Sequence, residues 1–339
     1  MHMADALISP TVGGALWAAS SGAIAWCAKK VKETRDDRLV PLMGVLGAFI
    51  FTAQMVNFSL PGTGSSGHLG GGLILAILLG PHAAFLVIAS VLTVQSLFFA
   101  DGGLLALGCN LFNMGFLPVF IAYPLIYLPI ARGGEKSYQW IAALLAAVVG
   151  LQMGALGVVL ETKASGISAL PFKTFLLLMQ PIHLAIGVVE GMATAVIVSF
   201  VASVRPEVLA GEQGRGGPGK RLGSVCFGVL IAAILVGGIL SCFASKRPDG
   251  LEWAIAKVTG HTELQGSVDQ LHQGVAQVQQ STAILPDYQF KAAPPKSESA
   301  VGISAARSGT SLSGLLGGLI TLAVCAMIGL TLKWRRGTA

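Results

Sequence analysis

Apolar residues in this chain gather into runs longer and more uniformly apolar than one face of a soluble helix requires. Runs of near-spanning length occupy residues 9–28, 40–58, 69–80, 82–100, 104–131, 139–160, 172–203, 222–244 and 312–332, and a membrane-crossing helix needs about 20 mostly apolar residues. The pattern predicts nine helices. The third is short: at about 1.5 Å per residue it covers roughly 18 Å of a hydrocarbon core about 30 Å thick, and Gly80-Pro81 stops it. Between 245 and 311 the pattern changes. Leu264, Val268, Leu271, Val275 and Val278 recur at helical spacing and predict one amphipathic helix. Residues 292–307, with Pro294-Pro295 and many small side chains, predict irregular chain.

The polar positions between the runs set an orientation. If all nine runs cross and the N-terminus is outside, the inner loops 29–39, 81, 132–138, 204–221 and the tail 333–339 hold five, zero, two, four and three Lys or Arg. Outer loops 59–68 and 101–103 hold none, and 161–171 holds only Lys163. The positive-inside rule then selects nine crossings, N-terminus out and C-terminus cytoplasmic. Residues 1–203 form one membrane unit, 204–221 a Gly- and Arg/Lys-rich cytoplasmic linker, and 222–339 a second unit whose helices 222–244 and 312–332 flank an outward segment, 245–311.

Composition agrees. Charged residues make up 11% of the chain, against about 25% in soluble proteins. The net charge of +6 lies in short loops beside apolar runs, so lipid rather than nucleic acid explains it. No basic stretch precedes the first apolar run, so no cleavable signal peptide is expected and Met1 stays in place. The five cysteines are scattered without CxxC spacing and read as small core residues. No GxxxxGK[ST] nucleotide loop occurs, and the predicted helices carry neither paired carboxylates nor HExxH.

Candidate chemistry starts at the first two residues. Met1-His2 offers the α-amine, the His2 amide nitrogen and the His2 imidazole, which close a five- and a six-membered chelate ring; tetragonal nitrogen sites favour Ni(II) or Cu(II). The loop 61–72 lies on the same predicted side, rich in glycine, uncharged, with one histidine, His68. His68 is a candidate fourth nitrogen. The plain alternatives are a functionless terminal residue for His2 and a packed, hydrogen-bonded residue for His68. Asp101 is the acid predicted near the outer mouth, with Asn110 and Asn113 as candidate supports. Gln95, His183 and Glu190 lie within apolar runs, where polar side chains need partners. For His183 and Glu190, interhelical hydrogen bonding is the favoured role. His82 is predicted at the inner surface and dispensable. His261 and His272, eleven apart on one predicted helix face, read first as solvated surface histidines and second as a metal-capture pair. Ala15, Ala19, Ala23, Gly44 and Ala48 give close helix packing, in the bundle or against a partner.

Several motifs in order carry a resemblance: Met1-His2-Met-Ala-Asp5-Ala-Leu-Ile-Ser9-Pro10, Gly62-Thr-Gly-Ser-Ser-Gly-His68-Leu-Gly-Gly-Gly, Ala76-Ile-Leu-Leu-Gly80-Pro81, Gln95-Ser-Leu-Phe-Phe-Ala-Asp101-Gly-Gly-Leu, Ala106-Leu-Gly-Cys-Asn110-Leu-Phe-Asn113-Met114 and His183-Leu-Ala-Ile-Gly187-Val-Val-Glu190-Gly. Residues 1–203 resemble the substrate-binding (S) component of energy-coupling-factor transporters for nickel and cobalt, the CbiM/NikM family. Pro248-Asp-Gly-Leu-Glu-Trp253 resembles the PDGLE signature of the small N component that accompanies them. Ala4 and His82 depart from the family's usual proline and aromatic, and neither change removes a ligand.

The resemblance implies an all-α integral membrane protein: a seven-helix bundle, made of a six-helix S-component core plus an added N-terminal helix, followed by two further membrane helices. It implies metal ligation by Met1, His2 and His68, with nickel or cobalt as transported substrate and no catalytic cofactor. It also implies a plasma (inner) membrane location, a transmembrane T component and two ABC-type ATPase subunits that hydrolyse ATP. The expected function is nickel import. The alternatives are cobalt import for cobalamin biosynthesis or a membrane metal sensor, which would bind metal without uptake. Because 222–339 lacks a complete metal cage, it is expected to shape transport more than binding.

Overall fold

The computed structural model describes residues 1–34, 36, 38–133, 136–204, 222–262, 264, 269–290 and 301–334. Helix α1 (Pro10–Glu33) starts where Ser9 accepts the Val12 amide on its hydroxyl and Pro10 fills the first helical position. Next come α2 (Leu39–Gln54), a two-residue antiparallel pair β1 (Phe58–Ser59) and β2 (Ser66–Gly67), the short α3 (Gly72–Leu79) and α4 (Pro81–Phe99). Helix α5 (Leu107–Ala131) is wound as a π-helix from Leu111 to Tyr127, with Pro118 and Pro124 inside. Then follow α6 (Lys136–Ser165), α7 (Phe172–Val204) and α8 (Leu222–Gly238). Two shorter helices, α9 (Gly250–Thr259) and α10 (Gln270–Thr282), precede α11 (Val301–Trp334).

The protein is an all-α multi-pass membrane protein. Among the described residues α4, α5, α6, α7, α8 and α11 are long and apolar enough to cross a membrane. Helix α3 is not: its eight residues reach only about 12 Å, because Gly71 adopts a left-handed φ of 77° at one end and Gly80 a φ of 78° at the other. Every residue of α3 is buried. Successive long helices run in alternating directions, so residues near 1, 54–71, 101–110, 161, 241 and 311 gather at one end. Helices α1 to α7 form the seven-helix bundle. Helices α8 and α11 pack on each other and on α2. A Cβ on Gly314 of α11 would stand 2.5 Å from the Gly237 carbonyl oxygen of α8, so small residues set that close approach. Gly44 faces Leu322 and Ala326 of α11, whereas Ala15 and Ala19 lie on an exposed face of α1.

Three expectations for 245–311 change. The amphipathic helix is shorter than the run from Leu264 to Val278: Asp269 accepts the His272 amide and starts α10 at Gln270, which leaves Leu264 outside it, and a separate helix, α9, precedes it and ends at Gly260, whose φ is 80°. His261 sits in an exposed turn, while His272 is buried in α10, so they share no helix face. Residues from Val301 onward are helical rather than irregular; Pro294-Pro295 fall before that helix, outside the described residues, as do Val268 and the linker 205–221.

Candidate metal site

Residues 1–9 reach this site as an arm with one 3-10 turn at Asp5–Leu7, clamped through its backbone. Asn110 of α5 accepts the Met3 amide at 2.8 Å and donates to the Met3 carbonyl at 3.2 Å. The Gly103 amide donates to the same carbonyl at 2.9 Å, and Asp5 accepts the Ala106 amide at 2.9 Å. Asn113 donates to Glu161 at 2.7 Å and lies against the Met3 sulfur at 3.8 Å. His272 of α10 places Nε2 2.9 Å from the Ile8 carbonyl and 3.1 Å from the Asp5 carbonyl. The arm therefore presents Met1 and His2 at one fixed place.

There the three residues singled out in the sequence meet. The Met1 α-amine lies 3.2 Å from His68 Nε2. The His2 and His68 rings are stacked, centroids 5.1 Å apart at 20°. Each imidazole has its proton placed by a neighbour. His68 Nδ1–H donates to the Leu69 carbonyl at 3.1 Å, which leaves Nε2 with its lone pair. His2 Nε2–H donates to Gln95 Oε1 at 3.1 Å, and Gln95 donates in turn to Gln54 Oε1 at 2.8 Å. His2 Nδ1 is left as the bare nitrogen, 3.4 Å from Asp101 Oδ1. A hydrogen bond on one ring nitrogen selects the other as a metal donor. Burial lowers both histidines: His68 falls to about 3, helped by the nearby Met1 amine and by His2, while Asp101 partly opposes the shift at His2.

Two devices hold the His68 loop. Gln54 donates to the Gly70 carbonyl at 2.7 Å, and Glu190 of α7 accepts the Gly70 and Gly71 amides, both at 3.1 Å. Glu190 thus sets the loop at the start of α3, in place of the interhelical hydrogen bond expected for it. His183 binds the Met179 carbonyl through Nδ1 at 2.8 Å and does not touch Glu190, as the sequence spacing predicts. His82 lies at the opposite end of the bundle, packed on Trp26 (4.7 Å) and Phe120 (6.0 Å).

One contact at the site has no sequence signal pointing to it. Asp249 Oδ2 accepts from the Met1 α-ammonium at 2.5 Å. Burial opposes the charge of Asp249, yet the Met1 ammonium and His68 hold its carboxyl well below the usual range. Asp249 belongs to the Pro248–Trp253 motif of the C-terminal part, so that part reaches the Met1 end of the bundle. Beside it opens a cavity of about 330 Å³ lined by His2, His68, Asp101, Asp249, Glu252 and Tyr288 among others. Tyr288 donates to Asp101 at 2.5 Å.

Comparison with known proteins follows the same division of the chain. Residues 2–208 match the CbiM family model, described as cobalt uptake substrate-specific transmembrane region, and residues 223–334 match the PDGLE domain. A protein of Archaeoglobus fulgidus named as a fused nickel transport protein, NikMN, is 32% identical over 96% of each chain. The fused nickel transport protein NikMN of Rhodobacter capsulatus is 30% identical over 66% of this chain and 67% of its own. A solved structure titled as a truncated transition metal transporter superposes with a TM-score of 0.54 at 30% identity, covering 60% of this chain and 99% of that one. The chain belongs to the CbiM family of metal-transport membrane components, with a PDGLE domain following in the same chain.

Proposed function

We propose that this chain is the substrate-binding component of an ATP-driven nickel importer, and that it captures the ion at the bundle end where Met1 and His68 meet. Four nitrogens hold the ion: the Met1 α-amine, the deprotonated His2 amide, His2 Nδ1 and His68 Nε2. The observation that carries this reading is the joint placement of an α-amine 3.2 Å from a bare His68 Nε2 and of a His2 ring whose proton is fixed on Nε2. Both imidazoles are uncharged, so neither needs to lose a proton before it binds a cation. Among the described residues no three His, Cys, Asp or Glu side chains converge as a metal cage; here half of the donors belong to the main chain.

A three-nitrogen N-terminal chelate with one added imidazole is planar. It resists the tetrahedral geometry that Zn(II) prefers and suits a d⁸ ion. Relatives named as cobalt transport proteins keep Co(II) as the second substrate to test. The cavity of about 330 Å³, with Asp101 and Asp249 on its wall, gives a hydrated cation a way in. On this reading the Met1 end faces outward and the basic loops face the cytoplasm. A T component and two ATPase subunits, implied by family resemblance, drive reorientation and inward release.

The test is metal analysis of purified full-length protein. His2→Ala and His68→Ala should each lose stoichiometric Ni(II) and its planar d–d absorption while keeping the helical content of the parent. Parent-like affinity in either variant removes that residue from the site.

A further inference from the structure

Pro248, Asp249, Gly250 and Trp253 of the Pro248–Trp253 motif each contact the metal-binding end of the bundle. The Pro248 carbonyl accepts from the Ser66 amide at 2.8 Å, and the Arg247 carbonyl accepts from the Ser66 hydroxyl at 2.8 Å. This ties the segment before α9 to β2, two residues from His68. Gly250 lies against His183: a Cβ there would stand 2.9 Å from His183 Cε1 and 3.1 Å from Ile186 Cδ1, so a larger residue would push the motif off α7. Leu251 is buried. Glu252 closes a capping box by accepting the Asp249 amide at 2.9 Å. Trp253 donates its indole N–H to the Thr63 carbonyl at 2.9 Å.

These contacts fix one carboxylate. Asp249 Oδ1 accepts the Leu251 and Glu252 amides at 2.8 and 2.9 Å, which leaves Oδ2 for the Met1 α-amine at 2.5 Å. A free ammonium has three N–H bonds. When the nitrogen gives its lone pair to a metal it still keeps two, so the same carboxylate can accept one in either state. Such partners orient a ligand, and losing one costs about 10–100-fold in metal affinity.

Resting on the four-nitrogen reading above, we propose that Asp249 completes the site from the C-terminal part of the chain. Its carboxylate accepts an N–H from the Met1 amine with or without metal and so aims the amine lone pair at the point His68 Nε2 faces. Asp249 is a positioning residue and not a ligand. The PDGLE motif is then the device that docks this carboxylate on the N-terminus, and metal affinity depends on both parts of the chain.

The experiment uses the full-length protein and Ni(II) alone, in competition with a chelator of known affinity. Asp249→Asn should weaken binding about 10–100-fold and leave the planar absorption of bound nickel unchanged, since the four nitrogens are the same. Asp249→Glu should recover part of the loss. Parent-like affinity in Asp249→Asn overturns the proposal. So does a moved absorption band in Asp249→Asn, which makes the carboxylate a ligand. His2→Ala run alongside separates the two readings: if it too binds nickel like the parent, the four-nitrogen site itself is wrong.

Discussion

Adding a single glycine before Met1 tests the α-amine directly. The Met1 residue is 6% exposed, and its nitrogen stands 2.5 Å from Asp249 and 3.2 Å from His68. An extra residue turns that ammonium into an amide and must fit another Cα step of about 3.8 Å between those neighbours. Two losses follow. Asp249 keeps its charge in a buried place with its cationic partner gone, and breaking a buried pair in this way costs about 3–5 kcal/mol. The metal loses its five-membered chelate ring, and His2 leaves the register that places amide and imidazole on one ion. Losing a partner that only orients a ligand already costs about 10–100-fold in metal affinity, so losing the amine itself should cost at least the upper figure. The assay is nickel titration of the extended protein, before and after a protease removes the added residue, with thermal unfolding recorded on the same samples. The extended form should bind at least about a hundredfold more weakly and unfold earlier, and trimming should restore both. Full nickel affinity in the extended form refutes the amine as a ligand. If unfolding alone shifts, the ion pair is real and the ligand assignment is wrong.

Three further outcomes follow from the same geometry. Glu190→Gln leaves one of the Gly70 and Gly71 amides without its acceptor, so it should destabilise the protein by roughly 1–3 kcal/mol and speed hydrogen exchange at those two amides. His82→Ala should bind nickel like the parent, because His82 packs on Trp26 and Phe120 at the far end of the bundle; a loss of affinity by titration would contradict the placement of the site. Burial alone would lower His272, but the Asp269 carboxylate and the Ile8 and Asp5 carbonyls outweigh it and raise it, with the Asp5 carboxyl as the other titratable neighbour. The contact is at full strength below the unfolded value near 6.5 and fades as pH rises through the raised folded value. Hydrogen exchange across 270–282 should therefore quicken at alkaline pH relative to a His272→Gln control.

The membrane helices were readable because a spanning helix needs a long apolar run and nothing else imitates one. Their boundaries moved where single residues decide the backbone, as with Gly71 and Gly80 around α3 and Gly260 between α9 and α10. The π-winding of α5 has no period of its own in the sequence. Met1 and His2 could be singled out from ligand chemistry, since a chelate ring is fixed by covalent distance and needs no fold; His68 stood out as the one histidine of a glycine-rich loop on the same predicted side, and the fold brings all three together. Asp249 and Gln54 could not be singled out. Asp249 is 248 residues from Met1, its local sequence reads only as a helix cap, and nothing in a run of residues says which amine a capping carboxylate will meet. Gln95 was visible as a polar residue in an apolar run, but its task required the position of the His2 ring. Glu190 and His183 share a helix face by spacing, and only the fold sends one to the Gly70-Gly71 amides and the other to Gly250.

A site built on a chain terminus faces a difficulty that a site of side chains on helices does not. The first residues of a domain usually fray, and a freely moving amine would meet a metal with a large loss of conformational freedom. Here that freedom is removed beforehand, residue by residue. Asn110 and Gly103 hold the Met3 backbone, Asp5 holds Ala106, His272 spans the Asp5 and Ile8 carbonyls, and Ser9 starts α1 behind them. The clamps come from α5, from the loop after α4 and from α10, so the arm is fixed from both parts of the chain. The first two residues then project into a place where His68 is already set by Gln54 and Glu190 through its loop. Fusing the PDGLE part to the bundle keeps α10 and Asp249 at this end at a high effective concentration, which explains why a segment with no metal cage of its own stands against the amine.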